Sequence, residues 1–110
     1  MLCASAKQEG SIMITLDTIS EIISPVAKDL GLSRVIVFGS YARGEQTEGS
    51  DVDLIIDGGG TLVGGQLFIA IGKMVKALPI KADIFELSEV KNPSPTYTNI
   101  MQEGVVIYER

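Results

Sequence analysis

Two aspartates one residue apart, Asp51 and Asp53, open an apolar run and are the side chains of this chain best suited to a divalent cation. Successive side chains of a β-strand point to opposite faces, so residues 51 and 53 would share one face. Their carboxylate oxygens are hard ligands that suit Mg²⁺ or Mn²⁺. Taken alone, an Asp-x-Asp pair at a strand start is also typical of a solvated sheet edge, and both interpretations stay open.

Asp83 is the third carboxylate that can join them. The alternation over Lys81–Leu87 predicts a strand, and the apolar spacing before it predicts a helix over 62–78 that packs as core. Such a crossover joins parallel strands, so we expect Asp83 to lie beside the first pair at one end of a sheet. Two Mg²⁺ ions about 3.5–4 Å apart could there assist phosphoryl or nucleotidyl transfer, and Asp83 could accept the proton of an attacking hydroxyl.

A phosphate-binding turn is expected upstream of these acids, at Gly39 and Ser40. A glycine lets backbone N–H groups approach a phosphate closely, and the serine hydroxyl adds a donor at the start of a short helix. Arg43, one helical turn on, can add a guanidinium. A Gly-Ser pair by itself is only a turn, and Arg43 could equally pair with Glu45 or Glu48.

The elements that position these residues follow from hydrophobic periodicity. We predict a helix over 16–30, bent or restarted at Pro25, and a helix whose core positions are Val63, Leu67, Ile71, Met74, Val75 and Leu78. The other predicted elements are strands at 34–38, 51–56 and 105–108, and short helices at 41–43 and 96–103. We expect residues 1–12 to be a disordered tail and residues 13–110 to form one α/β domain.

Charge and composition exclude several functions. The chain has 9 basic and 14 acidic residues and no histidine, a formal net charge of -5, so strong nucleic-acid binding and Ser-His-Asp or Cys-His catalysis are not expected. Cys3 is the single cysteine, which excludes a disulfide framework and favours the cytoplasm. No run approaches the roughly 18 apolar residues of a membrane-spanning helix, so no membrane association is expected.

The spacing Gly39-Ser40, ten residues, then Asp51-Val52-Asp53 resembles the signature of the polymerase-beta-type nucleotidyltransferase superfamily, specifically its minimal nucleotidyltransferase (MNT) branch. The strand Lys81-Ala82-Asp83-Ile84-Phe85-Glu86-Leu87 and the ending Ile100-Met101-Gln102-Glu103-Gly104-Val105-Val106-Ile107-Tyr108-Glu109 also resemble that branch. The resemblance covers about residues 16–110.

The resemblance implies a single polymerase-beta-like α/β (α+β) domain, with a mixed sheet of three to four strands and helices packed mainly on one face. It implies transfer of a nucleoside monophosphate from an NTP, with ATP as the expected donor, onto a hydroxyl. By position, Gly39, Ser40 and Arg43 would hold the triphosphate, and Asp51, Asp53 and Asp83 would bind two Mg²⁺ ions. Many members of the branch are antitoxins of a HEPN-domain toxin, and some adenylylate it, so we expect a HEPN partner and a homo- or hetero-oligomer.

Two alternatives remain open. So short a domain has little surface for an acceptor, so it could be a non-catalytic antitoxin that occludes a HEPN toxin. It could also be a small-molecule nucleotidyltransferase of the aminoglycoside-modifying kind, which would need a second domain or a dimer.

Overall fold

The computed structural model describes residues 14–47, 49–59, 64–90 and 93–110. In chain order its elements are α1 (Leu16–Asp29), β1 (Arg34–Phe38), α2 (Ser40–Arg43), β2 (Val52–Asp57), α3 (Gly64–Ala77), β3 (Ala82–Glu86), a 3-10 turn (Leu87–Glu89), α4 (Pro95–Glu103) and β4 (Val105–Glu109). The strands form one sheet in the order β3-β2-β1-β4. The predicted α/β class is confirmed.

The sheet is mixed, as predicted. β1 runs antiparallel to β2 and to β4, while β2 and β3 run parallel. The helix α3 lies between the two parallel strands in sequence, which confirms its expected role as a crossover. Because of this pairing, the end of β1, the start of β2 and the start of β3 lie at the same edge of the sheet. The predicted site residues are at this edge.

Helices cover both faces of the sheet. The two long helices, α1 and α3, pack on one face, where Ile19, Ile23 and Met74 are buried. On the other face, α4 is held by Ile100, which packs against Ile36 and Ile55. Among the described elements, the two long helices thus share one face, as expected, and α4 packs on the other, which also carries Asp53.

Three predicted details differ from the structure. α1 runs through Pro25 as one helix, so of the two predicted outcomes, a bend or a restart at the proline, the restart is wrong. Strand β2 begins at Val52, so Asp51 immediately precedes it. Val75 is 41% exposed and is not core, because the buried stripe of α3 runs through Ala70 and Met74 instead.

A buried carboxylate closes the far end of β3. Glu86, 3% exposed, accepts hydrogen bonds from the backbone N–H of Gly58 at 3.0 Å and of Ser88 at 2.7 Å, and from the Ser88 hydroxyl. These bonds tie the turn after β2 to the 3-10 turn after β3, and they satisfy a charge that would be costly to bury alone.

Some sequence predictions fall on residues outside this description. The expected tail, residues 1–12, and the predicted core position Val63 lie outside the described residues. In the described part of the chain, no helix is both long and apolar enough to cross a bilayer.

Candidate active site

The sheet register brings two of the predicted carboxylates together. Asp53 on β2 is the register partner of Asp83 on the parallel strand β3. Register partners in adjacent strands project to the same face, so both side chains lie on the face that α4 covers. Asp51, just ahead of β2, lies on the same side of the strand by its two-residue offset. Asp53 and Asp83 can be paired in this way because the crossover helix α3 makes β3 run parallel to β2.

Gly39 lies against Asp53 on the β1 side, opposite Asp83. Phe38 at the end of β1 is the antiparallel partner of Asp53, and the next residue, Gly39, turns the chain with φ 76° and ψ -151°. An ideal Cβ at Gly39 would lie 2.5 Å from Asp53 Oδ2. Only glycine tolerates both that backbone conformation and that contact, so the turn is packed directly on the carboxylate.

The turn leaves backbone donors available beside the acids. The N–H groups of Ala42 and Arg43 donate to the Gly39 carbonyl at 3.1 and 3.2 Å, which closes the first turn of α2. The preceding N–H groups, those of Ser40 and Tyr41, make no hydrogen bond to any described residue. Free N–H groups at a tight turn can bind anionic oxygens, which agrees with a phosphate-binding role.

Burial and neighbouring acids act on the ionisation of Asp53. Desolvation is the largest cause that raises its pKa above the ordinary value, and the charges of Asp83 and Asp51 raise it further, while Arg43 lowers it. A carboxylate that is costly to ionise in this way gains from a cation, because the cation's charge offsets both effects.

Asp51, Asp53 and Asp83 do not surround a common metal position in the structure. Asp51 Oδ2 lies 3.8 Å from Lys81 Nζ, and Asp83 is exposed. Among the residues described, no three acidic side chains are close enough together to enclose a metal ion. The donor set still fits Mg²⁺, which keeps several waters and usually takes one or two carboxylates plus substrate phosphates. Asp51, Asp53 and Asp83 are the residues that could hold such an ion.

Arg43 is engaged by acids rather than free to bind phosphate. Its Nε donates to Glu45 Oε1 at 2.8 Å, and its Nη1 lies 3.8 Å from Glu103 Oε1. The hydrogen bond to Glu45 is the largest cause that raises the pKa of Arg43. Pairing with Glu45 was one of the two alternatives for this arginine. A phosphate would have to compete with these carboxylates for the guanidinium.

A cavity of about 230 Å³ opens beside this turn, between the end of β1 and α4. It is lined by Phe38, Gly39, Arg43, Thr96, Asn99 and Glu103. No sequence signal pointed to the three α4 residues, because their proximity to Gly39 depends on how α4 docks on the sheet. A wider, more open cavity of about 420 Å³ lies on the other side of α2, next to Thr15 and Gln46, and does not border Gly39.

The family match agrees with this fold and site. The family model described as "Nucleotidyltransferase domain" matches residues 19–107, which is most of the chain. The chain therefore belongs to the nucleotidyltransferase family and is an enzyme of that class. The resemblance based on the Gly-Ser and Asp-x-Asp spacing is confirmed.

Individual relatives carry more specific names. The chain is 35% identical over 85 residues, 74% of this chain and 87% of the relative, to the "Putative protein adenylyltransferase MJ0126" of Methanocaldococcus jannaschii. It is 45% identical over 49 residues, 41% of this chain and 50% of the relative, to the "Protein adenylyltransferase MntA" of Thermococcus cleftensis.

Solved structures share the fold at low identity. A toxin-antitoxin crystal structure with AMP-PNP matches with a TM-score of 0.69 and 22% identity, over 83% of this chain and 73% of that one. A structure of a tri-AMPylated Shewanella oneidensis HEPN toxin in complex with its MNT antitoxin matches with a TM-score of 0.65 and 17% identity, over 87% and 74%. At these identities the likeness concerns the fold alone.

Proposed function

We propose that this chain is a Mg²⁺-dependent minimal nucleotidyltransferase that transfers AMP from ATP to a hydroxyl of a HEPN-type partner protein. The observation that carries the proposal is the position of Asp53, which has Asp83 as its register partner on one side and the Gly39 turn on the other. Nucleotidyl transfer requires metal ligands next to a phosphate-binding turn, and Asp53 would be the metal ligand that contacts the turn.

The chain's own residues have separate tasks in this reaction. Gly39 and Ser40 would bind the triphosphate through backbone N–H groups and the serine hydroxyl, and Arg43 would join them after leaving Glu45. Asp51, Asp53 and Asp83 would hold Mg²⁺, which when bound neutralises the charge that develops on the phosphates. The exposed Asp83 would take the proton of the acceptor hydroxyl. The acceptor oxygen forms a bond to the α-phosphorus, the α–β phosphoanhydride bond breaks, and pyrophosphate leaves.

The identity of donor and acceptor is supported by relatives. Those named protein adenylyltransferases support ATP as the donor and a protein as the acceptor. Fold neighbours that are MNT antitoxins bound to HEPN toxins support a HEPN-type partner. The surface of this chain is compatible with a partner, since Phe68 and Ile69 on α3 are 79% and 60% exposed.

The test is transfer of label from ATP to a purified HEPN-domain protein from the same genome. With Mg²⁺ we expect label from the α-phosphate, and none from the γ-phosphate, on the partner. The double variant Asp51→Ala with Asp53→Ala should abolish transfer, while Asp29→Ala, a change of an exposed acid at the end of α1, should not. If transfer survives in the double variant, these are not the metal ligands.

The same variants separate catalysis from occlusion. A chain that only covers its partner would inhibit the toxin equally well with or without Asp51 and Asp53. Loss of inhibition together with loss of labelling supports modification as the mechanism. Full inhibition by a double variant that no longer transfers label would favour the occluding antitoxin.

A further inference from the structure

The cavity between β1 and α4 has a composition that suits the uncharged part of a nucleotide. Its volume, about 230 Å³, is below the roughly 300–1,000 Å³ of whole-ligand pockets, so it would take one portion of a larger molecule. It borders Gly39 and Arg43, where the triphosphate is proposed to bind. Glu103 on its wall makes it a poor site for phosphate, whereas a carboxylate accepts hydrogen bonds from amino and hydroxyl groups.

The helix α4 presents a polar row to this cavity. Thr96, Asn99 and Glu103 are spaced i, i+3 and i+7, and therefore share one face of the helix. Ile100, on the flank of the helix next to this row, packs against Ile36 and Ile55 of the sheet. Among the described residues, none makes a hydrogen bond with the side chain of Thr96 or Asn99. Both residues are exposed and line the cavity, so their polar groups are accessible to a bound molecule.

Phe38 supplies an apolar wall opposite that row. It is half-buried at the end of β1, and as the register partner of Asp53 it projects to the same face of the sheet. An aromatic ring beside a carboxamide is a combination that binds a base: the ring stacks on its face, and an amide both donates to and accepts from the edge of adenine.

We propose that this cavity is the nucleobase subsite of the enzyme, in which Phe38 stacks on the adenine and Asn99 selects it by its hydrogen-bonding edge. The inference rests on the proposed function and adds to it the residues that choose the nucleotide. Thr96 lies one turn before Asn99 and donates a second hydrogen bond to the nucleoside.

The test is calorimetric binding of ATP, GTP and inorganic tripolyphosphate in Mg²⁺ buffer. Tripolyphosphate has no base, so the ratio of ATP affinity to tripolyphosphate affinity isolates the subsite from the phosphate and metal contacts. For the wild-type chain we expect ATP to bind at least about tenfold more tightly than tripolyphosphate, and more tightly than GTP.

The decisive variant is Asn99→Asp, with Gln102→Glu as its matched control. Asn99→Asp removes the donor and leaves two acceptors, so it should lower ATP affinity about tenfold and shift the preference towards GTP, whose edge offers two donors. Gln102→Glu adds the same charge to the exposed surface of α4 outside the cavity lining and should leave the ATP-to-GTP ratio unchanged. Phe38→Leu keeps an apolar contact and should reduce the advantage of ATP over tripolyphosphate about fivefold.

Failure takes distinguishable forms. If the wild-type chain binds ATP and tripolyphosphate with Mg²⁺ but shows no preference for ATP, or if Asn99→Asp weakens both ligands equally, the subsite is wrong and the proposed function stands. If neither ligand binds, the proposed function fails and the subsite fails with it.

Discussion

Gly39 and Asp53 are in direct contact, so closely that a Cβ at position 39 would lie 2.5 Å from Oδ2 of Asp53. The two residues are 14 apart in the sequence, and the antiparallel pairing of β1 with β2 brings them together. One belongs to the expected phosphate-binding turn and the other to the expected metal site. Any side chain at position 39 must therefore disturb both.

Gly39→Ala should weaken Mg²⁺-dependent ATP binding more than tenfold, because the new methyl group displaces the Asp53 carboxylate. The left-handed backbone at this position adds a cost of about 1–3 kcal/mol to folding. Gly44→Ala is the matched control, since Gly44 also has a positive φ of 70° but has open space around its Cβ position. We expect Gly44→Ala to lower stability in urea unfolding and to keep ATP binding. Equal binding losses in both variants would contradict the contact as the cause.

Asp53→Asn should stabilise the metal-free protein at neutral pH. Because burial and the neighbouring acids raise the pKa of Asp53, the folded state holds its proton more tightly than the unfolded chain. Stability should therefore fall as pH rises from the ordinary aspartate pKa through the raised one, and stay lower above it. The variant removes this loss, and its Tm at pH 7 without metal should exceed that of the wild type by a few degrees at most, since the site is partly solvated.

The same pair of proteins also tests the metal. Mg²⁺ should raise the Tm of the wild type and not that of Asp53→Asn, because a ligand that binds only the folded state stabilises it. Asp29→Asn, at the exposed end of α1, should respond to Mg²⁺ as the wild type does. A Mg²⁺-induced shift that persists in Asp53→Asn would place the ion elsewhere.

Glu45→Gln should strengthen ATP binding by less than about fivefold, because it releases Arg43 from its 2.8 Å hydrogen bond and leaves it for phosphate. The gain should shrink as salt rises, since both partners are exposed and screened. Glu89→Gln removes an equal charge from the 3-10 turn and serves as the control in titrations at two ionic strengths. If both variants gain equally, net charge rather than the release of Arg43 is responsible.

Glu86→Gln should destabilise the fold without affecting nucleotide binding. The amide would turn a donor towards N–H groups that now donate to the carboxylate, at a cost of about 1–3 kcal/mol. For a domain of this size each kcal/mol lowers Tm by about 4–8 °C. The exposed Glu89→Gln should change Tm little, and ATP affinity measured well below the Tm should match the wild type in both. A binding defect in Glu86→Gln would show that this carboxylate also shapes the site.

The sequence by itself determined most of the elements and the family. Hydrophobic periodicity located α1, β1, β2, β3 and β4 to within about a residue, because burial on one face imposes that period directly on the chain. The spacing from Gly39-Ser40 to Asp51 and Asp53, together with the strand around Asp83 and the C-terminal segment, identified the family, because these motifs are local in the sequence.

Local pattern was insufficient where residues had more than one possible partner. Val75 fits a helical apolar stripe as well as Met74 does, and only the rotation of α3 against the sheet decides which is buried. Arg43 had carboxylates and a predicted phosphate-binding turn within reach, and the fold paired it with Glu45 and, through α4, brought Glu103 near.

Only the tertiary structure decided which residues surround the turn at Gly39. The sequence predicted that Asp83 would lie beside Asp53, and the register of β2 with β3 confirms it. The docking of α4 through Ile100, by contrast, placed Asn99 at the cavity beside Gly39, from which it is more than fifty residues away in sequence. Such contacts depend on how separate elements pack, and packing depends on the shapes of whole surfaces rather than on any local spacing. The sequence thus determined which residues are candidates for binding metal and phosphate, and the fold decided their neighbours.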